Sequence, residues 1–176
     1  MSAPDSLAIR PATGGDAAPL LALSRRADQL FAAHGLPQIP ALPPTPLVEF
    51  RAFLTENSSF IALLDSVPAG FAVCGAAGEH FWLKELAVDP VHGRKGIGSA
   101  LVNAAVGQAK LARHGAIFLS TFRNVPFNRP FYARRGFVAI DAETAAEELR
   151  EQFLREIPVG IDPATRVLMV RDLTIS

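Results

Sequence analysis

The sequence has few of the features that mark secreted or membrane-inserted proteins. Its only cysteine is Cys74, which excludes an internal disulfide and favours a reducing compartment. No apolar run reaches the ~18 residues that a membrane-spanning helix needs. The first residues also lack the basic start and apolar core of a signal peptide. We therefore expect a cytoplasmic protein that does not bind membranes.

An excess of positive charge is missing as well. The chain has 17 Lys and Arg residues against 17 Asp and Glu residues, so its formal net charge is +0. Nucleic-acid-binding proteins usually carry a basic surplus, so nucleic acid is not expected as a partner. Apolar residues make up 49% of the 176 residues, which is enough for the core of a single domain over residues 1–176.

The most informative segment is residues 83–112, together with the strand that leads into it. Residues 81–88 alternate in polarity, which predicts a strand, and residues 99–114 are mostly apolar with a narrow polar stripe, which predicts a helix. Between them lies a loop with three glycines. Glycine allows backbone N–H groups to turn inward at positive φ, and the first N–H groups of a helix lack partners within it. With Arg94 and Lys95 beside it, this loop predicts a site for phosphate or pyrophosphate.

Two common phosphate-binding patterns do not fit this loop. The Walker motif has Lys-Ser or Lys-Thr after its last glycine, whereas Gly98 is followed by Ser99 and Ala100. The dinucleotide fingerprint has an acidic residue on a second strand about 20 residues further on, and none stands there. A nucleotide-binding domain of another class stays open as an alternative.

Two motifs together resemble the GNAT acetyltransferases. A Val-Asp-Pro tripeptide at residues 88–90 and the sequence RKGIGSAL at residues 94–101 are similar to the acetyl-CoA pyrophosphate loop of that family. The block FYARRGF at residues 131–137 is similar to the family's later aromatic-Tyr-x-x-x-Gly-Phe motif. The longer string at residues 121–132 resembles a bacterial branch of the family. Both motifs occur in the family's order, with one predicted strand between them.

This resemblance implies an α/β fold of the α+β type. Helices would flank a mixed, mostly antiparallel sheet in which one splayed parallel pair of strands holds CoA. The likeness extends over residues 7–140 in the order of elements and is specific over residues 83–137. It also implies an N-acetyltransferase that moves an acetyl group from acetyl-CoA, without a metal, to a primary amine of a small molecule or a peptide.

The resemblance also implies which residues bind the co-substrate. Backbone N–H groups of the loop and the helix start would hold the pyrophosphate, and those of the preceding strand would polarise the thioester carbonyl. The family commonly has Arg or Gln where this chain has Gly93, so a side-chain contact is lost while the backbone cradle remains. The residues so assigned are Leu86, Ala87, Val88, Gly93, Arg94, Lys95, Gly96, Ile97, Gly98, Ser99, Asn128, Phe131 and Tyr132.

Glu85 is predicted to be the general base. It shares a strand face with Phe81 and Leu83, and a carboxylate on an apolar face is costly unless it is paired or functional. Burial would raise its pKa toward the working pH, which suits a base. A salt bridge to an arginine such as Arg123, and a proton relay through water, are the alternatives.

Tyr132, the only tyrosine of the chain, is predicted to be the acid that protonates the leaving CoA thiolate. The alternative is a tyrosine that only packs in a helix. Asn128 lies one helical turn before it, whereas the family's usual asparagine position is occupied by Val125. A chain that kept the loop and lost the chemistry would be a non-catalytic CoA-binding sensor or regulatory module.

The acceptor is less readable than the co-substrate. Residues 36–46 contain five prolines, which exclude regular structure there. This segment forms either a wall of the acceptor site or a passive connection. A helix over residues 142–156 carries the apolar stripe Leu149, Phe153 and Ile157, which could pack on the chain's own sheet, cover the acceptor cleft or form a homodimer. The apolar residues Phe31, Leu36, Ile39 and Phe127 favour a small, partly apolar amine, and His34 is the titratable candidate in this region.

The remaining segments read as alternating helices and strands. Asp16 is the expected cap of the first helix, and a turn at residues 65–68 predicts a hairpin. A strand entered from a helix is expected to run parallel to the strand before that helix. The predicted helices are residues 17–33, 46–55 and 126–135, and the predicted strands are residues 7–10, 59–64, 69–75, 116–122, 137–140 and 167–172.

Overall fold

The computed structural model describes residues 6–174. The helices are α1 (Ala17–Asp28), α2 (Leu47–Glu56), α3 (Ile97–Leu111), α4 (Arg129–Ala133) and α5 (Glu147–Arg155). The strands are β1 (Leu7–Pro11), β2 (Ser58–Leu64), β3 (Val67–Ala77), β4 (His80–Val88), β5 (Ala116–Phe122), β6 (Val138–Ile140) and β7 (Arg166–Asp172). Short 3-10 turns occupy Gly14–Asp16, Gln29–His34, Pro90–His92 and Pro163–Thr165.

Within residues 6–174 the strands hydrogen-bond in the order β1-β2-β3-β4-β5-β7-β6. The pairs β1–β2, β2–β3, β5–β7 and β6–β7 are antiparallel. The pair β4–β5 is parallel and joins only Phe81 to Ile117 and Trp82 to Phe118. The predicted fold class is therefore confirmed, including the parallel pairing on either side of α3.

The chain forms two compact units, and β3, β4 and α3 each contribute residues to both. The first unit contains the described residues up to Cys74 together with Glu85–Ala105. Helices α1 and α2 each bury one apolar face there, because their apolar residues recur at helical spacing. The core residues of this unit are Ala17, Leu20, Leu23, Phe50, Leu54, Ile61, Phe71, Val73 and Ala87.

The second unit contains Gly75–Lys84 and the described residues from Val106 onward. Its core gathers around Trp82, which is fully buried against Leu149, Phe153 and Leu168. The apolar stripe of α5 is thus covered by the chain's own sheet, as the packing alternative proposed. Because its apolar residues are already packed on the sheet, this stripe does not support a homodimer contact or a cover over the acceptor cleft.

Several predicted helices are shorter than expected. The first helix changes to a 3-10 turn at Gln29–His34 before Gly35, which ends it at a φ of 78°. Asp16 stands at the N-cap but makes no capping bond, because its carboxylate binds the Arg10 guanidinium and the Thr13 N–H instead. The helix expected over residues 126–135 is limited to α4, since Pro126 and Phe127 form a turn, and α5 begins only at Glu147.

The hairpin between β2 and β3 is tighter than expected. Only Asp65 and Ser66 form the turn, with φ of 49° and 68°, and Val67 and Pro68 already belong to β3. Two successive residues at positive φ match the twist of the adjoining strands, which explains why the hairpin needs no longer loop.

Candidate active site

The predicted anion loop is anchored by Asp89, which is buried at 4% exposure. Its carboxylate accepts the Val91 N–H at 3.2 Å and forms an ion pair with Arg26 of α1 at 2.6 Å. Burial raises the pKa of Asp89, but the hydrogen bonds from Arg26 and Val91 outweigh it, so the pKa lies below its ordinary value. The carboxylate therefore stays charged and holds the start of the loop against α1.

The loop backbone after this anchor has the geometry of an anion cradle. Arg94 and Gly96 adopt positive φ values of 64° and 76° on either side of Lys95, and α3 starts at Ile97. Alternating backbone of this kind points successive N–H groups to one side, next to the N–H groups of the helix start. The backbone from Arg94 into the first turn of α3 therefore has the conformation expected of the predicted pyrophosphate site.

Glycine acts in this loop at fewer positions than expected. Gly93 has a φ of −57°, which any residue adopts, and Gly98 lies within α3 rather than in the loop. Gly96 is the glycine whose positive φ is required, while Arg94 adopts the left-handed region despite its side chain. Helix α3 also begins two residues before the predicted start, so Gly98 and Ser99 belong to its first turn.

Glu85, the predicted base, is half-buried on β4 in the first unit. Its Oε1 accepts a hydrogen bond from the Ser24 hydroxyl of α1 at 3.0 Å. Ala87 follows two residues later on the same strand face and is buried. A Cβ at Gly70 would lie 2.8 Å from the Ala87 carbonyl oxygen, so glycine at this position allows β3 and β4 to approach closely.

Tyr132, the predicted acid, is buried in the second unit and lies on α4. Its ring packs edge-on against Phe131 at 5.1 Å and against Phe137 at 5.7 Å. Burial raises the pKa of the phenol well above its ordinary value, although Arg166 and Arg135 pull in the other direction. The phenol therefore keeps its proton throughout the neutral range, as a proton donor must.

The other two predicted residues of this motif are fixed beside Tyr132. Asn128 precedes α4, where its carbonyl accepts the Tyr132 N–H at 3.0 Å and its Oδ1 accepts the Phe122 N–H at 3.3 Å. Phe131 lies under the Arg135 guanidinium, 3.5 Å from the ring centroid. The amide nitrogen of Asn128 is then the group that can donate to a ligand.

Sequence reasoning missed three charged residues near these positions. Arg26 anchors the loop, and Asp28 faces a cavity beside α1. Arg166 is buried at the start of β7, where its Nη2 donates to the Ser120 hydroxyl at 2.8 Å. Burial lowers the pKa of Arg166 to about 10. An arginine directly before the apolar run at residues 167–170 was the available signal for Arg166.

The described residues form neither a metal-binding group nor a membrane-spanning helix. No group of three or more His, Cys, Asp or Glu side chains within residues 6–174 is placed to hold a metal ion. None of the helices in this part of the chain is long and apolar enough to cross a membrane.

The chain belongs to the acetyltransferase (GNAT) family, whose model matches residues 27–137, more than half of its length. This match includes the loop and the tyrosine motif. It confirms the family. It also confirms the class of enzyme, which is an acetyl-CoA-dependent N-acetyltransferase, and acetyl-CoA as its co-substrate. The bacterial-branch motif and the roles of individual residues stay predictions.

Solved structures of the family share the fold. A GCN5-related N-acetyltransferase from Rhodopseudomonas palustris is 22% identical with a TM-score of 0.71, and the match covers 98% of this chain and 100% of that one. PaiA N-acetyltransferase from Thermoplasma acidophilum, solved with coenzyme A, is 17% identical with a TM-score of 0.65 and coverages of 95% and 99%.

N-acetylglutamate synthase from Neisseria gonorrhoeae, solved with coenzyme A and N-acetyl-glutamate, is 20% identical with a TM-score of 0.71. The match covers 96% of this chain but only 35% of the synthase, so the chain spans about a third of that protein. At these identities the likeness concerns the fold.

Proposed function

We propose that this chain transfers the acetyl group of acetyl-CoA to a primary amine of a small molecule or peptide by direct attack. The observation that carries the proposal is the cradle at Arg94 and Gly96, which leads directly into the N-terminus of α3. This arrangement offers backbone N–H groups and a helix dipole to a pyrophosphate. The acetyl-CoA that it would hold supplies an acetyl group activated as a thioester.

Each part of the site has a separate task in this proposal. The loop and helix start from Gly93 to Ser99 hold the pyrophosphate, with Asn128 and Phe131 as further contacts. Backbone N–H groups of Leu86, Ala87 and Val88 bind along the pantetheine and polarise the thioester carbonyl. The β4–β5 ladder includes only two residue pairs, which supports a splayed strand with backbone groups available to a ligand.

Two side chains move protons. Glu85, held by the Ser24 hydroxyl at 3.0 Å, takes a proton from the acceptor amine, directly or through water. Tyr132 gives its phenolic proton to the sulfur as the C–S bond breaks. Its place in the FYARRGF motif supports this role, and the buried phenol carries its proton at neutral pH.

The test is a calorimetric titration with acetyl-CoA, CoA and ATP, followed by a thiol-release assay against a panel of small amines and peptides. We expect both CoA species to bind, ATP to give no signal, and thiol release to depend on the amine. Folded protein that fails to bind acetyl-CoA would overturn the proposal. Binding without thiol release for any amine would favour the non-catalytic CoA-binding module.

A further inference from the structure

A cavity of about 140 Å³ lies within the first unit between α1 and the proline-rich segment that follows it. One wall is formed by α1 and by the 3-10 turn that continues it. The residues of this wall recur at helical spacing, so they lie on one face. The other wall is apolar apart from one threonine. The lining residues are Leu21, Ser24, Arg25, Asp28 and Gln29 on the first wall, and Ile39, Pro40, Leu42, Pro43, Pro44 and Thr45 on the second.

Asp28 is the unusual member of this lining. Its side chain is half-buried, and no hydrogen-bond donor within residues 6–174 reaches its carboxylate. Proline has no backbone N–H, so the three prolines opposite cannot supply one. Arg25 is the charged neighbour in the lining, and it is exposed. A partly desolvated carboxylate without a donor is costly, and a cation in the cavity would offset that cost.

The cavity also leads toward the proposed base. Ser24 lines it and donates its hydroxyl hydrogen to Glu85 at 3.0 Å. Asp28 lies one helical turn further along α1, which separates the two positions by about 6 Å along the helix axis. A molecule in the cavity can therefore place one end near Ser24 and the other at Asp28.

We propose that Asp28 binds a positively charged, non-reacting end of the acceptor, so that the acceptor class is a small diamine. This inference rests on the proposed acetyl transfer and specifies its substrate. The methylene chain packs on Leu21, Ile39 and the prolines, and the reacting amine lies toward Glu85. The roughly 6 Å between Ser24 and Asp28 along α1 is close to the five-bond span of an extended four-carbon diamine.

The experiment compares 1,4-diaminobutane with butylamine, which has the same chain and lacks the second charge. Thiol release is measured for the wild type, Asp28→Asn and a control, Glu143→Gln, whose side chain is exposed outside the cavity. We expect Asp28→Asn to raise the KM for the diamine about tenfold or more while kcat and the butylamine KM stay within about twofold. Equal effects on both amines, or no preference for the diamine in the wild type, would overturn the inference.

A binding arm separates this inference from the acetyl-transfer proposal. Calorimetry of 1,4-diaminobutane with wild type and Asp28→Asn needs no turnover. Diamine binding that depends on Asp28 without thiol release would support the subsite and contradict the transferase. Arg25→Gln provides the opposite control: if it weakens acceptor binding while Asp28→Asn has no effect, the cavity binds an anionic group and the diamine is wrong.

Discussion

At the scale of single residues, Tyr132 combines a packed aromatic ring with the hydroxyl that we propose as the proton donor. Its ring is held between Phe131 and Phe137, so the ring position does not depend on the hydroxyl. A phenylalanine at this position keeps the same packing and loses only the proton. The two roles of the residue can therefore be separated experimentally.

We predict that Tyr132→Phe lowers kcat about a hundredfold, the usual contribution of a positioned acid, while acetyl-CoA affinity stays within about twofold. Rapid-mixing thiol release and calorimetry on the same preparation measure the two quantities. If turnover were unchanged, the tyrosine would only pack, and the sulfur would take its proton from another source.

Asp28 links stability to pH in the direction opposite to most carboxylates. Burial raises its pKa from 3.8 to about 6, against the opposing effect of Arg25. Between about pH 4 and pH 6 the folded protein therefore binds more protons than the unfolded chain. The free energy of unfolding therefore falls as the pH rises through this window, because the folded protein must give up the proton that its raised pKa favours.

We predict that Asp28→Asn increases the free energy of unfolding at pH 7 by about 1 kcal/mol, after allowance for solvent screening, and leaves it unchanged at pH 4. Urea denaturation at both pH values measures this. Glu143→Gln, at an exposed position, serves as the control and should differ little between the two. A loss of stability at pH 7 would mean that Asp28 has a stabilising partner in the folded protein. The native residue thus lowers stability at the position where we infer that it binds a ligand.

At the scale of elements, the strand-loop-helix segment could be predicted because its chemistry is local. The alternation of β4, the loop composition and the apolar helix specify backbone geometry within a few residues of one another. The start of α3 was predicted two residues late, since Gly98 was expected to stay in the loop. The left-handed conformation of Arg94 was also missed, because only glycine was expected at positive φ.

The charged contacts could not be predicted in the same way. Arg26 and Asp89 are 63 positions apart in the chain, and their ion pair depends on where α1 packs. Arg166 likewise bonds Ser120, 46 positions earlier, and Asp28 is partly buried by the proline-rich segment that follows its helix. In a single sequence they look like ordinary surface charges on a helix and at a strand end.

A substitution at Gly93 of the loop is expected to increase the affinity for CoA. Its φ of −57° suits any residue, and a Cβ there would only touch the Pro90 carbonyl oxygen at 3.4 Å. We predict that Gly93→Gln tightens CoA binding about three- to tenfold by adding a side-chain donor to the pyrophosphate. Calorimetry measures the change.

Gly96→Ala is the matched control for that substitution. Its site is open, so the strain of a side chain at a φ of 76° is the main cost, and CoA binding should weaken. Weaker binding by Gly93→Gln would show that a side chain at position 93 obstructs the cradle instead of completing it.

At the scale of the whole molecule, the two compact units are interleaved along the chain. β3, β4 and α3 each cross from one unit to the other, so neither unit is a continuous segment. Trp82 belongs to the second unit and is the only tryptophan, and its fluorescence therefore reports on the core that α5 covers.

We predict that Phe153→Ala lowers the free energy of unfolding by about 3–5 kcal/mol, as expected for a large side chain removed from a core. Trp82 emission should shift to the red because its shielding is reduced. Leu154→Ala is the control, since Leu154 is the next residue of α5 and is 53% exposed. Equal losses for the two variants would mean that α5 does not cover the core in solution.

Two faces of helix α1 have different roles, since one lines the cavity and the other anchors the loop. Leu21, Ser24 and Asp28 face the cavity, whereas Arg26 lies roughly 140° away around the helix from Leu21 and holds Asp89. A descendant of this chain could thus exchange the cavity residues one by one and acquire a new acceptor without disturbing the anchor of the pyrophosphate loop. Directed evolution of acceptor preference should begin at Leu21 and Asp28 and leave Ser24, which holds the proposed base, and Arg26 untouched.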